Sequence, residues 1–500
     1  MVAPQAHAAG IPIYGGPAYS SATSTGYRGN SGHSQFLAID VNNAGTVVGT
    51  GSKTIAGVGQ GFRGLQWGAT QSGVTEFQAG NTIDGYRGYA SLINDAGTVA
   101  GSAIKYTSGV ASTAILQWNA AGTPTELQNL PNDGTFYYSP SLGGMNGAGT
   151  IVGTDTKFVY IGSGGGAQST TSSAVRWDAA TGAITRLGNL GLPETGSTGA
   201  LAINSTGTTV GYSTDVTNGG GQSFAVKWEA TGLSPIPLPN PGTGATYYGT
   251  RAEGINDNGI IVGNTQRYTS NGGNINGWGG RAVLWDLAGN PIELGNLGTS
   301  NNSFDGYTNT HASAINAAAT IVGYADKWVN GVNIGTRAVR WDADSPSAVQ
   351  LGDLGTNSTA GVEGSTTAYA YDINAAGISV GQAAKYVAGV YQGLRAVAWS
   401  ADGTAIDLNT LIDPDSGWLL TNAYKITDTG WMIGVGTFTP GGADAPYERA
   451  FLMNINAPEP STWLLAAIAV LSLALGRRAI GPALTHTPTG GDVRSNSVQN

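Results

Sequence analysis

One short pattern recurs along the chain: an apolar residue, Asn, two residues, Gly, two residues, Val or Ile, Gly. It reads VNNAGTVVG at 41–49, INDAGTVAG at 93–101, MNGAGTIVG at 145–153, INSTGTTVG at 203–211, INDNGIIVG at 255–263, INAAATIVG at 315–323, INAAGISVG at 373–381 and, degraded, ITDTGWMIG at 426–434. The closing glycines at 49, 101, 153, 211, 263, 323, 381 and 434 are separated by 52, 52, 58, 52, 60, 58 and 53 residues, which makes eight units. A repeat of this kind restricts the fold to a solenoid, a propeller or an array, because each unit buries its apolar face only against its neighbours.

Each unit carries two further landmarks. A strand ends in Trp (Trp67, Trp118, Trp177, Trp228, Trp285, Trp341, Trp399), with RAFLM at 449–453 in the eighth unit, and about ten residues later comes a third apolar stretch such as IELGNLG at 292–298. The Asn-x-x-Gly segment has hairpin chemistry, with Gly supplying a positive φ and Asn bonding local backbone. In the sixth unit Ala319 replaces that glycine, so this turn is expected to be strained or differently shaped. The Trp strand is apolar on both faces, as a strand covered on both sides should be, which assigns the tryptophans to the packing between units. Four short strands per unit and no helical periodicity predict an all-β fold, an eight-bladed β-propeller of four-stranded antiparallel blades. The eighth unit lacks its last strand, and the segment GIPIYGG at 10–16 is expected to supply it through Ile11–Tyr14, leaving no free edge. An open β-solenoid or two half-propellers are the competing architectures.

The connections differ in how much they vary. From second-strand glycine to Trp the count runs from 17 to 24, and from Trp to the next turn position from 30 to 36, whereas the other two connections are short and nearly constant. In an up-and-down blade the two variable connections leave from the same end, so one face of the disc should collect the insertions and any binding site. On that face a basic residue recurs four positions past the second-strand glycine: Lys53, Lys105, Lys157, Arg267, Lys327 and Lys385. Five of these precede an aromatic, giving Lys105–Tyr106, Lys157–Phe158, Arg267–Tyr268, Lys327–Trp328 and Lys385–Tyr386. Connecting loops add Tyr86, Tyr89, Phe136, Tyr137, Tyr138, Tyr247, Tyr248, Phe304, Tyr307 and Trp418. Rings that lie on sugar faces beside cations would suit an acidic polysaccharide; the competing reading is edge protection by strand-end lysines.

A net charge of −9 argues against a nucleic-acid partner, since nothing would neutralise the phosphates. Absence of cysteine excludes disulfides and thiolate chemistry. Of the four histidines, His7 falls in the leader remnant and His486 in the tail, His33 and His311 are expected in non-equivalent loop positions, and no nucleophile elbow occurs. Loop carboxylates Asp84, Asp133, Glu194, Asp305 and Glu363 would serve a glycosidase or a polysaccharide lyase only if two of them pair at a suitable separation. No cofactor is implied. Ca²⁺ is the one candidate ion for the Asp/Asn-rich loops, without a twelve-residue loop signature.

The chain begins MVAPQAHAAG, where Ala6-His7-Ala8 fits the end of a secretory signal peptide, so residues 1–9 are expected to be its remnant. Near the other end, Trp463–Leu475 is a run of 13 apolar or small residues, about 20 Å as a helix against a hydrocarbon core of about 30 Å. Pro458-Glu459-Pro460, the apolar run and Arg477-Arg478 together resemble the PEP-CTERM sorting signal of Gram-negative envelope proteins. That resemblance implies a short transmembrane-like helix, transient inner-membrane anchoring through 461–476, recognition by an exosortase, cleavage near Pro-Glu-Pro, and release or attachment at the outer surface, often among exopolysaccharides of biofilms. Twenty-two residues follow Arg478, more than that family normally carries. The repeats are similar to the HAF repeats of extracellular proteins through INDAGTVAG, RAVLW and LGNLG, with RAV or FAV standing where that family often has His-Ala-Phe.

The expected organisation is thus a leader remnant at 1–9, a propeller at 10–456, a sorting signal at 457–478 and a disordered tail at 479–500. The expected function is a non-enzymatic cell-surface or matrix scaffold that binds exopolysaccharide or protein. The alternatives are a secreted carbohydrate-active enzyme and a purely structural spacer.

Overall fold

A computed structural model of the chain describes residues 14–15, 26–27, 37–55, 58–69, 74–78, 87–107, 110–131, 136–160, 167–191, 196–215, 222–241, 246–271, 274–301, 306–358, 363–439 and 446–456. The leader remnant, the sorting signal with its expected helix, and the tail fall outside these residues. Among the described residues no helix is long and apolar enough to cross a membrane.

The described residues form an eight-bladed propeller. Blade 5 shows the pattern: Thr246–Ile255, Ile261–Asn271, Asn274–Trp285 and Pro291–Glu293 pair in that order, each antiparallel to the next. First strands of consecutive blades contact one another, so they surround the central axis, and the fourth strands lie outermost. Those outer strands are short, two to six residues, which blunts an edge that would otherwise recruit other chains. In blade 1 the inner position is shared by Gly26–Tyr27 and Leu37–Val41, both paired to Thr46–Ile55. Blade 8 takes its fourth strand from the N-terminal side, with Tyr14 opposite Leu452 and Gly15 opposite Phe451. The expected closing segment is therefore found at Tyr14–Gly15; Ile11–Ile13 lie outside the described residues.

Core packing is between blades. Val283 and Trp285 join Val210, Ala225 and Leu238 of blade 4, while Ala282 and Leu284 join Val339 and Trp341 of blade 6. Six indole N–H groups donate to a carbonyl of the preceding blade's outer segment, Trp118 to Gln78, Trp177 to Gln128, Trp228 to Gly188, Trp285 to Pro239, Trp341 to Gly295 and Trp399 to Gly352, at 2.7–3.0 Å. Trp67 is the exception, buried with no partner for its N–H among the described residues. Blade 8, which precedes it around the ring, has no outer strand of its own sequence to offer that carbonyl.

The Asn of each repeat works in two directions. Its Oδ1 accepts the amide four residues on, as Asn42 does from Thr46 (3.0 Å) and Asn256 from Ile260 (3.0 Å). Its Nδ2 reaches the neighbouring blade: Asn42 donates to the Asn94 carbonyl, Asn94 to Asn146, Asn146 to Asn204, Asn204 to Asn256, Asn256 to Asn316, Asn316 to Asn374 and Asn374 to Thr427, at 3.0–3.3 Å. A belt of buried amides thereby links blades 1 to 8. Thr427 has no amide to continue it, and the seam from blade 8 to blade 1 is made by other groups. Tyr424 Oη donates to the Ala38 carbonyl, Thr429 Oγ1 donates to the Asn43 carbonyl, and Lys425 Nζ lies 3.3 Å from Asp40 Oδ1. The Asp40 charge, aided by Asp372, holds the Lys425 ammonium well above its ordinary range, so this closure is a charged one.

Ala319 adopts φ 63° and keeps the turn hydrogen bond, donating to the Asn316 carbonyl at 3.0 Å. The sixth turn therefore has the same shape as its neighbours, and alanine bears the strain. The second repeat glycine has a different reason. A Cβ at Gly49, Gly101, Gly153, Gly211, Gly263, Gly323, Gly381 or Gly434 would sit 1.8–2.0 Å from a first-strand carbonyl, such as that of Arg251, His311 or Tyr369. Only glycine allows the inner strand to approach this closely, and directly below that contact the inner strand bulges, skipping Ser313 in blade 6 and Tyr371 in blade 7.

Candidate functional site

The recurrent cation is held inside its own blade. Lys53 Nζ meets Glu76 at 2.8 Å, Lys105 meets Glu126 at 2.9 Å, Arg267 meets Glu293 at 3.4 Å, and Lys385 meets Asp407 at 2.7 Å. Lys327 donates to Gln350 at 2.7 Å and pairs with Glu363. In each case the second-strand cation reaches across the third strand to the end of the fourth, a clasp on the outer edge of the blade. Partly exposed pairs of this kind contribute about 0.2–1 kcal/mol each. The following aromatics turn to other rings: Tyr268 to Tyr248, Trp328 to Tyr307 and Tyr386 to Tyr391, with centroids 5.5–6.2 Å apart. The Tyr106 side chain lies outside the described residues. Of the loop carboxylates, Glu363 is engaged by Lys327, while Asp84, Asp133, Glu194 and Asp305 lie outside the described residues. Among the described residues no group of three or more His, Asp or Glu is placed to hold a metal ion.

Blade 3 departs from the clasp, because Arg186 stands where the clasped blades carry Glu, Asp or Gln. Lys157 and Arg186 line a cavity of about 650 Å³ with Thr171, Ser173 and Thr198. On the same second strand as Lys157, Asp155 is fully buried with no hydrogen bond to its carboxyl oxygens among the described residues. Burial pushes this carboxyl up to about 7, against the opposing pull of the nearby Leu130 amide and the Arg186 charge.

The structure also assembles a group that the repeat landmarks do not mark. Directly above the bulge, each blade places one first-strand residue opposite one second-strand residue on the loop-face rim of the axis. These pairs are Leu37 and Thr50, Tyr89 and Ser102, Ser141 and Thr154, Gly199 and Tyr212, Arg251 and Asn264, His311 and Tyr324, Tyr369 and Gln382, and Asn422 and Val435. From blade 4 to blade 7 they carry rings and polar groups. His311 stacks on Tyr324 with centroids 5.0 Å apart, Tyr324 meets Tyr369 edge-on at 5.0 Å, and Tyr369 stacks on Tyr371 at 6.2 Å. Arg251 lies 4.3 Å over the Tyr212 ring. His311, expected in a loop, is thus on the inner strand Thr310–Ile315 of blade 6.

Asn264 positions this rim. Its Oδ1 accepts the Ala312 amide (3.0 Å), and its Nδ2 reaches Glu253 Oε2 (2.7 Å) and His311 Nε2 (3.2 Å). Glu253 and His311 side chains are 35% and 36% exposed, enough to meet a ligand. Burial lowers the imidazole below its ordinary value, with Glu253 opposing, so His311 is neutral at neutral pH. Burial raises the Tyr324 phenol, and raises that of Tyr371 to about 12. Tyr247 and Tyr424 donate their hydroxyls internally, to Glu293 and to the Ala38 carbonyl. Those of Tyr324, Tyr369 and Tyr371 have no hydrogen-bond partner among the described residues.

No family model matches the chain, and no curated protein matches it in sequence. Among solved structures it is similar to prolyl oligopeptidase B from Galerina marginata, with 10% identity, TM-score 0.45, and coverage of 84% of this chain and 55% of that one. It is similar to the acylaminoacyl peptidase of Pyrococcus horikoshii at 10% identity and TM-score 0.39, covering 81% of this chain and 58% of that one. The polysaccharide lyase Uly1 gives 9% identity and TM-score 0.33, covering 85% of this chain and 98% of that one. These overlaps are too loose to bear on activity.

Proposed function

We propose that this chain is an exported, non-enzymatic propeller that holds polysaccharide outside the cell on its loop face. The observation that carries the reading is the run of partly exposed rings on the inner rim, His311, Tyr324, Tyr369 and Tyr371, packed face to face or edge-on, with three phenol hydroxyls unbonded among the described residues. Aromatic rings offer apolar faces to sugar C–H surfaces while their hydroxyls reach the polar edge. Rings needed only for packing would be buried, as the tryptophans of the third strands are.

Retardation in native gels containing dissolved polysaccharides tests the reading. The wild-type chain is expected to be slowed in at least one gel, and Tyr324→Ala combined with Tyr369→Ala is expected to run freely; unchanged mobility in every gel contradicts it and favours a spacer. New reducing ends or unsaturated products formed with turnover would replace the scaffold with an enzyme. Export rests on the Pro458-Glu459-Pro460, apolar run and Arg477-Arg478 pattern. An exosortase would cut near residue 460, so mass spectrometry of the mature protein is expected to lack 461–478, and a retained segment refutes the sorting reading.

A further inference from the structure

We infer that the ligand of the inner rim is a neutral, hydroxyl-rich glycan bound along several sugar units, and that anionic polysaccharides are disfavoured there. This rests on the polysaccharide-binding reading and narrows its substrate class.

Charge decides the class. A uronate or sulfate sugar needs a cation that is not already engaged, and the sequence offers the recurrent lysines and Arg267 for that role. The structure pairs Lys53, Lys105, Arg267, Lys327 and Lys385 with a carboxylate or amide of their own blade or its adjoining loop. On the rim itself, Arg251 lies over the Tyr212 ring at the blade 5 end, while Glu253 lies beside His311 and Asn264. The imidazole of His311 is neutral, and the phenols keep their protons through the physiological range. An anionic chain laid over Tyr324 and Tyr369 would approach the Glu253 carboxylate and meet Arg251 only at the far end of the arc, where the guanidinium lies on the Tyr212 ring, and like-charge approach is unfavourable.

Geometry decides the length. The ring contacts run from His311 on blade 6 to Tyr371 on blade 7, and the Arg251–Tyr212 contact extends the polar and aromatic arc to blades 5 and 4. An arc over four blades is a ledge for a chain rather than a pocket for a single sugar. The remaining groups match sugar hydroxyls: phenol O–H donors, the Glu253 carboxylate as acceptor, and the Gln382 amide opposite Tyr369. Asn264 spends its amide on Ala312, Glu253 and His311, so it is a positioning residue.

Calorimetry with the full chain distinguishes the possibilities, using cellohexaose, xylohexaose and galactohexaose as neutral probes and hexamers of alginate and polygalacturonate as anionic ones, in 20 and 300 mM NaCl. At least one neutral hexamer is expected to bind, more tightly than its trimer, with affinity changing less than about twofold between the salts. Tyr324→Ala should weaken it about tenfold or more. Tyr324→Phe, which keeps the ring and the stack, should lose less and guards against a folding defect. Glu253→Lys should admit the anionic hexamers. Tighter binding of the anionic hexamers by the wild-type chain, weakened by salt and lost in Lys157→Ala or Arg186→Ala, overturns the inference and leaves the polysaccharide reading standing. Binding of neither class defeats the polysaccharide reading itself.

Discussion

The turn face and the loop face of this propeller are made by the same eight units under opposite constraints. At the turn face each unit repeats one solution, an Asn that closes its own hairpin and bonds the next blade, and the departures at Ala319 and Thr427 leave the shape intact. At the loop face the backbone pairing above the bulge is equally regular, yet the residues on it range from Gly199 and Ser141 to Arg251, His311 and Tyr369. Regularity on one face frees the other to vary, because blades 1 to 8 are tied by the amide belt and the interblade tryptophans, the seam is closed by Tyr424, Lys425 and Thr429, and none of these groups is on the rim.

The sharpest way to break this comparison is to cut the belt. Asn316→Ala removes two side-chain hydrogen bonds, one to the Asn374 carbonyl of blade 7 and one from the Thr320 amide, and should cost about 2–3 kcal/mol in chemical unfolding; Asn316→Asp, which keeps the acceptor but loses the donor, should not rescue it. A rim change such as Gln382→Ala should cost well under 1 kcal/mol in the same assay. Equal costs would erase the difference between the faces.

Asp155 tests whether the loop-side half of a blade tolerates a poor solution. Its carboxyl is raised to about 7, so between the ordinary carboxyl range near 4 and about pH 7 the folded chain keeps a proton that the unfolded chain releases. Stability is therefore fullest below that window and falls as pH rises through it, by about 1 kcal/mol per unit. Asp155→Asn should raise stability by about 2 kcal/mol at pH 8 and change little at pH 4, read as the pH dependence of the denaturation midpoint. A gain that is the same at both pH values contradicts the burial argument.

Smaller effects sharpen the comparison. Ala319→Gly relieves the positive φ and should stabilise by about 1 kcal/mol. Lys105→Ala and Lys385→Ala should each cost less than about 1 kcal/mol and leave polysaccharide retardation unchanged, because the clasp belongs to the blade edge. Loss of binding without loss of stability would return these lysines to the ligand.

Much of the scaffold was legible in the sequence, since the repeat interval, the tryptophan strands and the turn chemistry are local or periodic signals. The partners were not. Asn256 finds the Asn316 carbonyl 60 residues away, and Lys105 finds Glu126 only once the register of the outer strand is known. The rim was hidden by the bulge: an unbroken strand would put His311 on the same side as Ser313, whereas the skipped residue puts it with Ala314. What betrays the bulge is the second repeat glycine, whose missing Cβ makes room for the His311 carbonyl. No local pattern reports that contact.

The most direct measurement is an amide hydrogen-exchange footprint of the full chain with and without a neutral hexasaccharide that binds it. Slowed exchange is expected on the inner strands around Arg251–Glu253, Thr310–Ile315 and Ala368–Ile373, with the hairpin tips at Asn330–Gly331 and Ala388–Gly389 and the turn face unchanged. Protection centred on those tips or on the turn face, with the inner strands unaffected, would contradict the assignment of binding to the rim.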